Sequence, residues 1–319
     1  MELLIVTYHY IGEKNKYRGG VFPINHLDFL NQIDLIGRRF KFISENDLLA
    51  AISDKKQLSD RSCLVTFDDN LKCQYKYALP ILREKKIPAV FFVYTLPYQL
   101  GKACAAHKLH HLLSANPVDE LFRYAEEEHL ILAGRKIDWF TFNLKKASNW
   151  YRYDKQETAK LKYLINHFLV RELADKIIEN IFAKYFNQKE EDFCKEIYLS
   201  VDEIEEINND PLFSIGMHTH SHSDISSSSD IFVKEDLINN YNYLNKNFKI
   251  NKINGLSYPF GSITENIFND KISKIIKPLN IKYGLTIEKG INADLGKPFM
   301  LKRMNPNDLL GGKRPLVNF

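Results

Sequence analysis

The sequence predicts an α/β fold in which the strands of a mainly parallel sheet or barrel alternate with helices. Two observations support this prediction. Short runs rich in β-branched and aromatic residues recur along the 319 residues, and amphipathic helical patterns follow most of them. Several of these runs are apolar at nearly every position, as expected of strands buried on both faces. Parallel neighbours also need long crossovers, which the helical patterns would supply.

Seven segments have the composition of strands. They cover residues 3–8, 63–67, 88–94, 213–216, 254–261, 282–287 and 299–304. Helical patterns lie between them. Leu27, Leu30, Ile33 and Ile36, with Phe29, form a helical stripe, and Ser44 with Asp47 resembles a capping box. A further helix surrounds Pro80. Another begins at a Thr264 cap and places on one face Ile267, Phe268, Ile272, Ile275 and Ile276.

The central part of the chain has a different character. Apolar residues at three- and four-residue spacing predict helices over 161–185, and Ser200 with Glu203 forms a capping-box pattern. We therefore predict a barrel or sheet unit formed by residues 1–94 and 211–319, with a mainly helical insertion over 95–210. Aromatic side chains in the insertion fit either a substrate-specific lid or a packed helical excursion; they are Trp139, Trp150, Tyr151 and Tyr153.

Composition excludes some classes of protein. The net charge of +4 comes without a long Lys/Arg block, which argues against a nucleic-acid partner. The four cysteines are scattered without C-x-x-C spacing, as in a reduced cytosolic protein. The apolar run near the N-terminus is too short for a membrane span and lacks the basic region of a signal peptide. We expect a cytoplasmic protein with no membrane span.

Three polar clusters follow predicted strands, and chemistry collects at the carboxyl ends of strands in α/β architectures. Asp68 and Asp69 end the run CLVTFDD, and the histidines of MHTHSH follow the strand FSIG. The third cluster is SYPFG, at residues 257–261. An isolated Asp pair is usually a polar turn, and a Pro-aromatic-Gly sequence is usually no more than a turn. Here one of the two adjacent carboxylates could instead bind a metal while its neighbour points at the substrate.

The three histidines of the second cluster indicate a metal site. On a continuing strand, His218, His220 and His222 would share one face. In a helical turn or loop, His218 and His222 would converge while His220 points away. Catalytic zinc commonly takes three His or carboxylate ligands and keeps one position open, and two histidines with Asp69 meet that count.

The order of these motifs, TFDDN, then HTHSH, then SYPFG, resembles the polysaccharide deacetylases of carbohydrate esterase family 4, the NodB homology domain. The likeness covers residues 3–94 and 215–305. It implies an irregular (β/α) barrel of the polysaccharide deacetylase type, here with a large helical insertion. It also implies that Asp68 is the general base and that Asp69, His218 and His222 bind one divalent metal ion, with Zn²⁺ first and Co²⁺, Ni²⁺ or Mn²⁺ as alternatives.

Further roles follow from the same resemblance. Pro259, Phe260 and Gly261 would form a wall of the substrate groove, with the Phe260 N–H near the oxyanion. The chain departs from the family pattern at three places. Asn70 replaces a glycine, Ser257 replaces the arginine that supports the base, and no late Leu-x-His motif is found. His9, His220 or the Asp68 that has taken up the water proton is therefore the expected proton donor. Arg303 is the expected replacement support, and His9 could equally be a hydrogen-bonded core residue.

The implied function is metal-dependent removal of an N-acyl group, acetyl first, from an amino sugar or glycan precursor of surface-glycan synthesis, which could be nucleotide- or lipid-linked. Two alternatives remain open. HTHSHSD also resembles the opening motif of a metal-dependent phosphoesterase, which would use His220 as a ligand. A non-catalytic carbohydrate-binding relative would fit the missing arginine and late histidine.

Overall fold

The computed structural model describes residues 1–13, 20–186, 188–261, 263–313 and 315–316. The chain divides into two compact units. The first contains Met1–Gly12, Ile24–Leu100 and Lys195–Phe319, and the second contains Glu13–Pro23 and Gly101–Cys194. The expected boundary at residue 210 thus lies later than the observed one. Residues after Lys195 join the first unit because the Leu199 N–H donates to the Asn70 carbonyl at 2.9 Å.

A curled parallel sheet forms the centre of the first unit. Its strands are β1 (Glu2–Tyr8), β2 (Lys41–Phe42), β3 (Arg61–Phe67), β4 (Ala89–Val93), β5 (Phe213–Met217), β6 (Gly255–Ser257) and β7 (Tyr283–Leu285). The order is β1-β3-β4-β5-β6-β7, with β2 paired to the beginning of β3, and every pairing is parallel. This confirms the predicted α/β class.

A late segment closes the curled sheet into an irregular (β/α) barrel. Leu301 bridges β7 at Leu285, and Met304 bridges β1 at Val6. The Leu301 N–H donates to the Gly284 carbonyl at 3.1 Å, and the Thr7 N–H donates to the Met304 carbonyl at 3.0 Å. Residues 301–304, the closing segment, therefore join the two edge strands.

Helices cover the outside of this barrel. They are α1 (His26–Gly37), α2 (Glu45–Ile52), α3 (Leu79–Lys85), α4 (Leu96–Leu100), α11 (Val201–Asn209), α12 (Asp230–Asn247), α13 (Glu265–Ile267) and α14 (Ser273–Ile276), and α10 (Glu190–Ile197) crosses the boundary between the units. As predicted, Ser44 and Ser200 complete capping boxes at α2 and α11. Each box satisfies two N–H groups that the first turn would otherwise leave unpaired.

Strand alternation separates the barrel interior from the face beneath the helices. The interior cluster contains Leu3, Ile5, Leu64, Val90, Phe92, Tyr283, Leu285 and Leu301. Glycines make room for its rings: a Cβ on Gly216 would lie 2.4 Å from Phe92. Continued toward the carboxyl ends, the same alternation reaches polar residues, among them Thr7, Asp68 and His218. The interior is therefore apolar in its middle and polar at the end where chemistry is expected.

The second unit is helical within the described residues. Its helices are α5 (Ala105–Ala115), α6 (Val118–Ala133), α7 (Leu144–Trp150), α8 (Gln156–Tyr163) and α9 (Arg171–Tyr185). The buried pair of Lys162 and Asp154, 3.0 Å apart, lies inside this unit. In the described parts of the chain, no helix is long and apolar enough to cross a lipid bilayer.

Three local predictions were wrong. Residues 299–304 do not form a regular strand, because a 3-10 turn (Pro298–Met300) precedes the single bridges of the closing segment. The helix predicted after Thr264 is interrupted by a π turn, Phe268–Ile272, which keeps Phe268, Ile272 and Ile276 buried. Leu27 is 58% exposed, whereas Phe29 and Gln32 occupy the buried face of α1.

Candidate active site

Asp68 and Asp69 point in different directions because the chain turns between them. Asp68 extends the inward-facing series of β3, and its N–H donates to the Tyr8 carbonyl at 3.0 Å. Asp69 and Asn70 then take left-handed backbone conformations, with φ of 76° and 44°. Asn70 suits such a position better than most residues other than glycine, so the turn forms without a glycine. The Asn70 side chain also accepts from the Tyr94 N–H at 3.1 Å, which ties this turn to the end of β4.

The histidine cluster leaves strand geometry directly after β5. Thr219 and His222 have φ of 62° and 58°, and the Thr219 hydroxyl accepts from the His222 N–H at 3.0 Å. Such conformations cost of order 1–3 kcal/mol each, and they persist where the surrounding structure enforces them. Asp236 of α12 supplies that enforcement by accepting from the N–H groups of His220 and Ser221 at 3.1 and 2.9 Å. The loop consequently brings the His218 and His222 rings to 4.9 Å.

Asp69, His218 and His222 converge on one point and are all buried. One oxygen, Oδ1 of Asp69, lies 3.1 Å from Nε2 of His218 and 3.1 Å from Nε2 of His222. The Ser257 carbonyl lies 2.8 Å from Nδ1 of His218, so Nδ1 donates to that carbonyl and Nε2 is the ring nitrogen that faces Asp69. An Asp oxygen and two neutral His nitrogens that converge in this way offer three lone pairs to a single cation. The donor set and its chemistry therefore fit a divalent metal such as zinc.

Asp68 is held through one of its two oxygens. Oδ2 accepts from Arg303 Nη1 at 2.7 Å and from the Ser257 hydroxyl at 2.9 Å. Oδ1 is buried and has no hydrogen-bond partner among the described residues. The carboxylate is thus fixed in orientation, and Oδ1 keeps its lone pairs for another group.

Arg303 is itself anchored before it reaches Asp68. Its Nε donates to the Thr286 carbonyl at 2.8 Å, and Nη1 also donates to the Thr7 hydroxyl at 3.0 Å. Burial raises the pKa of Asp68, but the positive charges of Arg303, then His218 and His9, outweigh it, and the pKa is lowered overall. Asp68 is therefore a carboxylate at neutral pH.

His9 lies at the entrance to the two carboxylates. Its Nε2 is 3.9 Å from Oδ2 of Asp68 and 4.0 Å from Oδ2 of Asp69, and 36% of the side chain is exposed. These distances exceed a hydrogen bond and leave His9 accessible to a ligand. Partial burial lowers the pKa of His9, although Asp69 and Asp68 act in the opposite direction. When protonated, this ring is a stronger acid than free imidazole.

His220 is directed away from the other two histidines. Its Nδ1 lies 2.8 Å from the Thr95 hydroxyl, which also accepts from Asn240 at 3.1 Å. Within the described residues, no hydrogen bond or ion pair joins the His220 ring to Asp68 or Asp69. His220 is also outside the group of converging ligands. Of the two arrangements considered for the cluster, the structure has the one in which His218 and His222 converge.

The third cluster forms one side of the site. Phe260 and Gly261 have φ of 57° and 61°, and a Cβ on Gly261 would lie 2.5 Å from the Ile287 nitrogen, so glycine is needed there. Pro259 precedes this turn. The Phe260 ring packs against His222 with centroids 5.3 Å apart. Phe260 therefore borders the converging ligands.

The sequence interpretation missed several residues of this site. Thr7 was not identified, although strand alternation places it on the barrel interior beside Arg303. Ser257 was treated only as a lost arginine, yet it donates to the same oxygen as Arg303. Tyr94 and Tyr198 form an aromatic pair with centroids 5.3 Å apart, and Tyr94 contacts His222 at 5.6 Å. No motif marks Tyr198, because it is near the site only through the fold.

The barrel thus carries two adjacent carboxylates and two histidines at one end, and three of these four side chains could hold a metal ion. A family model for polysaccharide deacetylases matches residues 55–115 and 168–284, more than half of the chain. The chain therefore belongs to the polysaccharide deacetylase family, and its enzyme class is that of sugar N-deacetylases. This confirms the predicted family and fold. No curated protein matches the sequence significantly.

Solved structures of low sequence identity share the fold. The Streptococcus pyogenes deacetylase PplD, in complex with acetate, is 16% identical, with a TM-score of 0.58 over 96% of this chain and 92% of its own. IcaB from Ammonifex degensii is 16% identical, with a TM-score of 0.55 over 95% and 91%. The BpsB deacetylase domain from Bordetella bronchiseptica is 13% identical, with a TM-score of 0.54 over 95% of each chain.

Proposed function

We propose that this chain is a metal-dependent N-deacetylase that removes an acetyl group from an amino sugar of a surface glycan or its precursor. The observation that carries the proposal is the contrast between two adjacent carboxylates. Asp69 places one oxygen against two histidine nitrogens, and Asp68 keeps one unpartnered oxygen beside them. The first arrangement suits a Lewis acid and the second suits a general base.

Asp69, His218 and His222 would hold one divalent cation, with zinc favoured by the donor set and cobalt, nickel or manganese as alternatives. The chemistry such an ion supplies is polarisation of the acyl carbonyl and a lower pKa for the attacking water. The Ser257 carbonyl would orient one of these ligands, because it accepts from Nδ1 of His218 and leaves Nε2 for the metal.

Asp68 would act as the base through Oδ1. It takes a proton from a water molecule as the water oxygen attacks the acyl carbon. Arg303 and Ser257 meanwhile hold Oδ2 of Asp68 in place. The backbone N–H of Phe260 would donate to the developing oxyanion. Breaking the C–N bond then requires a proton on the amine, and His9 is the better-placed donor because the ring of His220 is engaged by Thr95. The products are acetate and a free amino sugar.

Family membership indicates an acetylated glycan substrate. We propose an N-acetylated sugar carried on a nucleotide or a lipid in the cytoplasm, with Pro259, Phe260 and Gly261 along the groove.

The decisive test is a screen for acetate release from N-acetylated sugars, sugar nucleotides and short glycans, with and without added Zn²⁺ or Co²⁺. Wild type is expected to release acetate, whereas Asp68→Asn should bind one equivalent of metal without turnover. Asp69→Ala should lose both metal and activity. Acetate release by Asp68→Asn at the wild-type rate would contradict the proposed base. Turnover of a phosphate ester that disappears in His220→Ala would instead favour the phosphoesterase alternative.

A further inference from the structure

The third histidine of the cluster, His220, lies midway between two proposed metal ligands. His218 is two residues before it, and His222 is two residues after it. Its ring takes no part in the proposed reaction, yet His220 is only 9% exposed. Because burying an imidazole costs free energy unless its polar atoms are used, the contacts of His220 indicate what it contributes.

Residue 220 is held at three points. Its N–H donates to Oδ2 of Asp236 at 3.1 Å, and its carbonyl accepts from the Leu96 N–H at 2.8 Å. Its ring Nδ1 lies 2.8 Å from the Thr95 hydroxyl. Asp236 belongs to α12, and Leu96 begins α4. The backbone and the ring of His220 are therefore fixed together, by partners from separate elements of the first unit.

The partner of the ring is fixed in turn, through a chain of buried hydrogen bonds. Nδ2 of Asn240 donates to the Thr95 hydroxyl and to the Val93 carbonyl, both at 3.1 Å. The Val93 carbonyl also accepts from the His218 N–H at 3.2 Å. Thr95 and Asn240 are both fully buried. The network that begins at the His220 ring thus ends at the backbone of the first proposed metal ligand.

The loop needs such an anchor because its backbone is strained. Thr219 and His222 have positive φ, one on each side of His220. Residues other than glycine keep such conformations only where the surrounding structure enforces them. Without the ring contact the loop can relax, and the rings of His218 and His222 would then separate. Bonds from zinc to histidine nitrogen are about 2.0–2.1 Å long, so even a small separation of the two ligands weakens binding.

We propose that His220 is a positioning residue that sets the affinity of the metal site without binding the metal. Its ring holds the loop through Thr95, and the loop holds His218 and His222 where both face Asp69. The inference rests on the proposed function, since it takes these three side chains as the metal ligands. It also accounts for three histidines at alternate positions in a site that uses two of them.

Zinc titration of the full chain against a chromogenic chelator measures this affinity as a Kd. Two substitutions form a matched pair. The side-chain amide of asparagine occupies the position of Nδ1, whereas the amide of glutamine lies one carbon further out, near the position of Nε2. His220→Gln should therefore raise the zinc Kd about tenfold or more, and His220→Asn should leave it close to the wild-type value. Thr95→Val removes the same contact from its other side and should behave like His220→Gln.

Two further readouts separate positioning from metal ligation and from a general loss of stability. At saturating Co²⁺, the visible absorption spectrum of His220→Gln should match that of wild type, because no ligand is lost. Circular dichroism melting of the metal-free chains should show that each variant folds. If His220→Gln does not fold, Thr95→Val carries the same test.

Equal zinc Kd values in wild type, His220→Gln and Thr95→Val would overturn the proposal. So would a Kd for His220→Asn as high as that for His220→Gln, because the Nδ1 contact would then not be the cause. A changed Co²⁺ spectrum in His220→Gln would make His220 a ligand and would overturn it as well. A wild-type chain that binds no zinc would instead refute the proposed metal site itself.

Discussion

Replacing Arg303 with methionine would remove the buried cation beside the proposed base. Arg303 and Asp68 are only 3% and 2% exposed, and Nη1 and Oδ2 are 2.7 Å apart. Two unit charges about 4 Å apart attract by about 4 kcal/mol at an effective dielectric constant of about 20. Removing one partner of such a buried pair typically costs about 3–5 kcal/mol, because the remaining charge is uncompensated. We expect a loss of stability of this size in metal-free protein.

The same change should move the acid limb of kcat/KM. The lowered pKa of Asp68 depends on Arg303, so in wild type this carboxylate contributes stability above its unfolded pKa and loses it as the pH falls through the folded pKa. Without Arg303 the carboxyl protonates at higher pH. Losing about 3 kcal/mol of the stabilisation of ionised Asp68 corresponds to about a 100-fold lower kcat/KM on the acid limb, with partial recovery at alkaline pH.

The assay is a pH profile of acetate release for wild type, Arg303→Met and Ser257→Ala. Ser257→Ala removes a neutral hydrogen bond to the same oxygen, so its effect should be smaller, about 1 kcal/mol or roughly fivefold. An Arg303→Met variant that keeps the wild-type acid limb and a kcat/KM within about threefold of wild type would contradict this role of Arg303. A larger effect of Ser257→Ala than of Arg303→Met would contradict it as well.

Three further predictions concern other parts of the first unit. Chelation of the metal should lower the melting temperature, because an ion that binds only the folded state stabilises it by about 2.7 kcal/mol when its concentration is 100 times its Kd. In Asp69→Ala, added zinc should no longer raise the melting temperature. Burial raises the pKa of Glu45, although its hydrogen bonds to Asn254, Tyr283 and Ser214 lower it in part. Because the pKa is higher in the folded state, Glu45 contributes its full stability below its unfolded-state pKa. That contribution is lost as the pH rises through its folded-state pKa. Urea midpoints between pH 4.5 and 7.5 should therefore fall more steeply for wild type than for Glu45→Gln. Gly216→Ala should destabilise by about 1–3 kcal/mol in the same assay, because its Cβ would meet Phe92 at 2.4 Å, and an unchanged midpoint would contradict the packing described.

Local pattern was sufficient to predict the parallel strands. The run from Cys63 to Phe67 is apolar because it is covered on both faces, and that burial follows from composition alone. The end of each run then predicted where Asp68, Asp69 and the histidines would meet, since carboxyl ends of parallel strands share one edge. The spacing of the histidines left two arrangements open, and the resemblance to the deacetylases selected Asp69, His218 and His222, which converge in the structure.

Contacts between distant parts of the chain could not be predicted in the same way. Arg303 reaches Asp68 through a segment that resembles a strand in sequence but forms only two bridges, so the geometry depends on barrel closure. The direction of His220 depends on Thr95 and on Asp236, neither of which belongs to the motif. The prediction that Leu27 is buried was wrong because an apolar stripe on a helix can be centred in more than one way. In the structure α1 is rotated so that Phe29 and Gln32 are buried.

The closing segment also makes assembly of the site depend on the last part of the chain to be synthesised. Arg303 lies 235 residues after Asp68, so during synthesis the proposed base is made long before the guanidinium that orients it. Strands β1, β3, β4 and β5 can pair while residues 301–304 are still absent, and such a nascent barrel would hold its acidic pair without the neutralising guanidinium. Catalytic competence would then begin only when the last edge of the barrel joins. In the finished enzyme, local release of that edge would stop turnover well before the rest of the sheet separates.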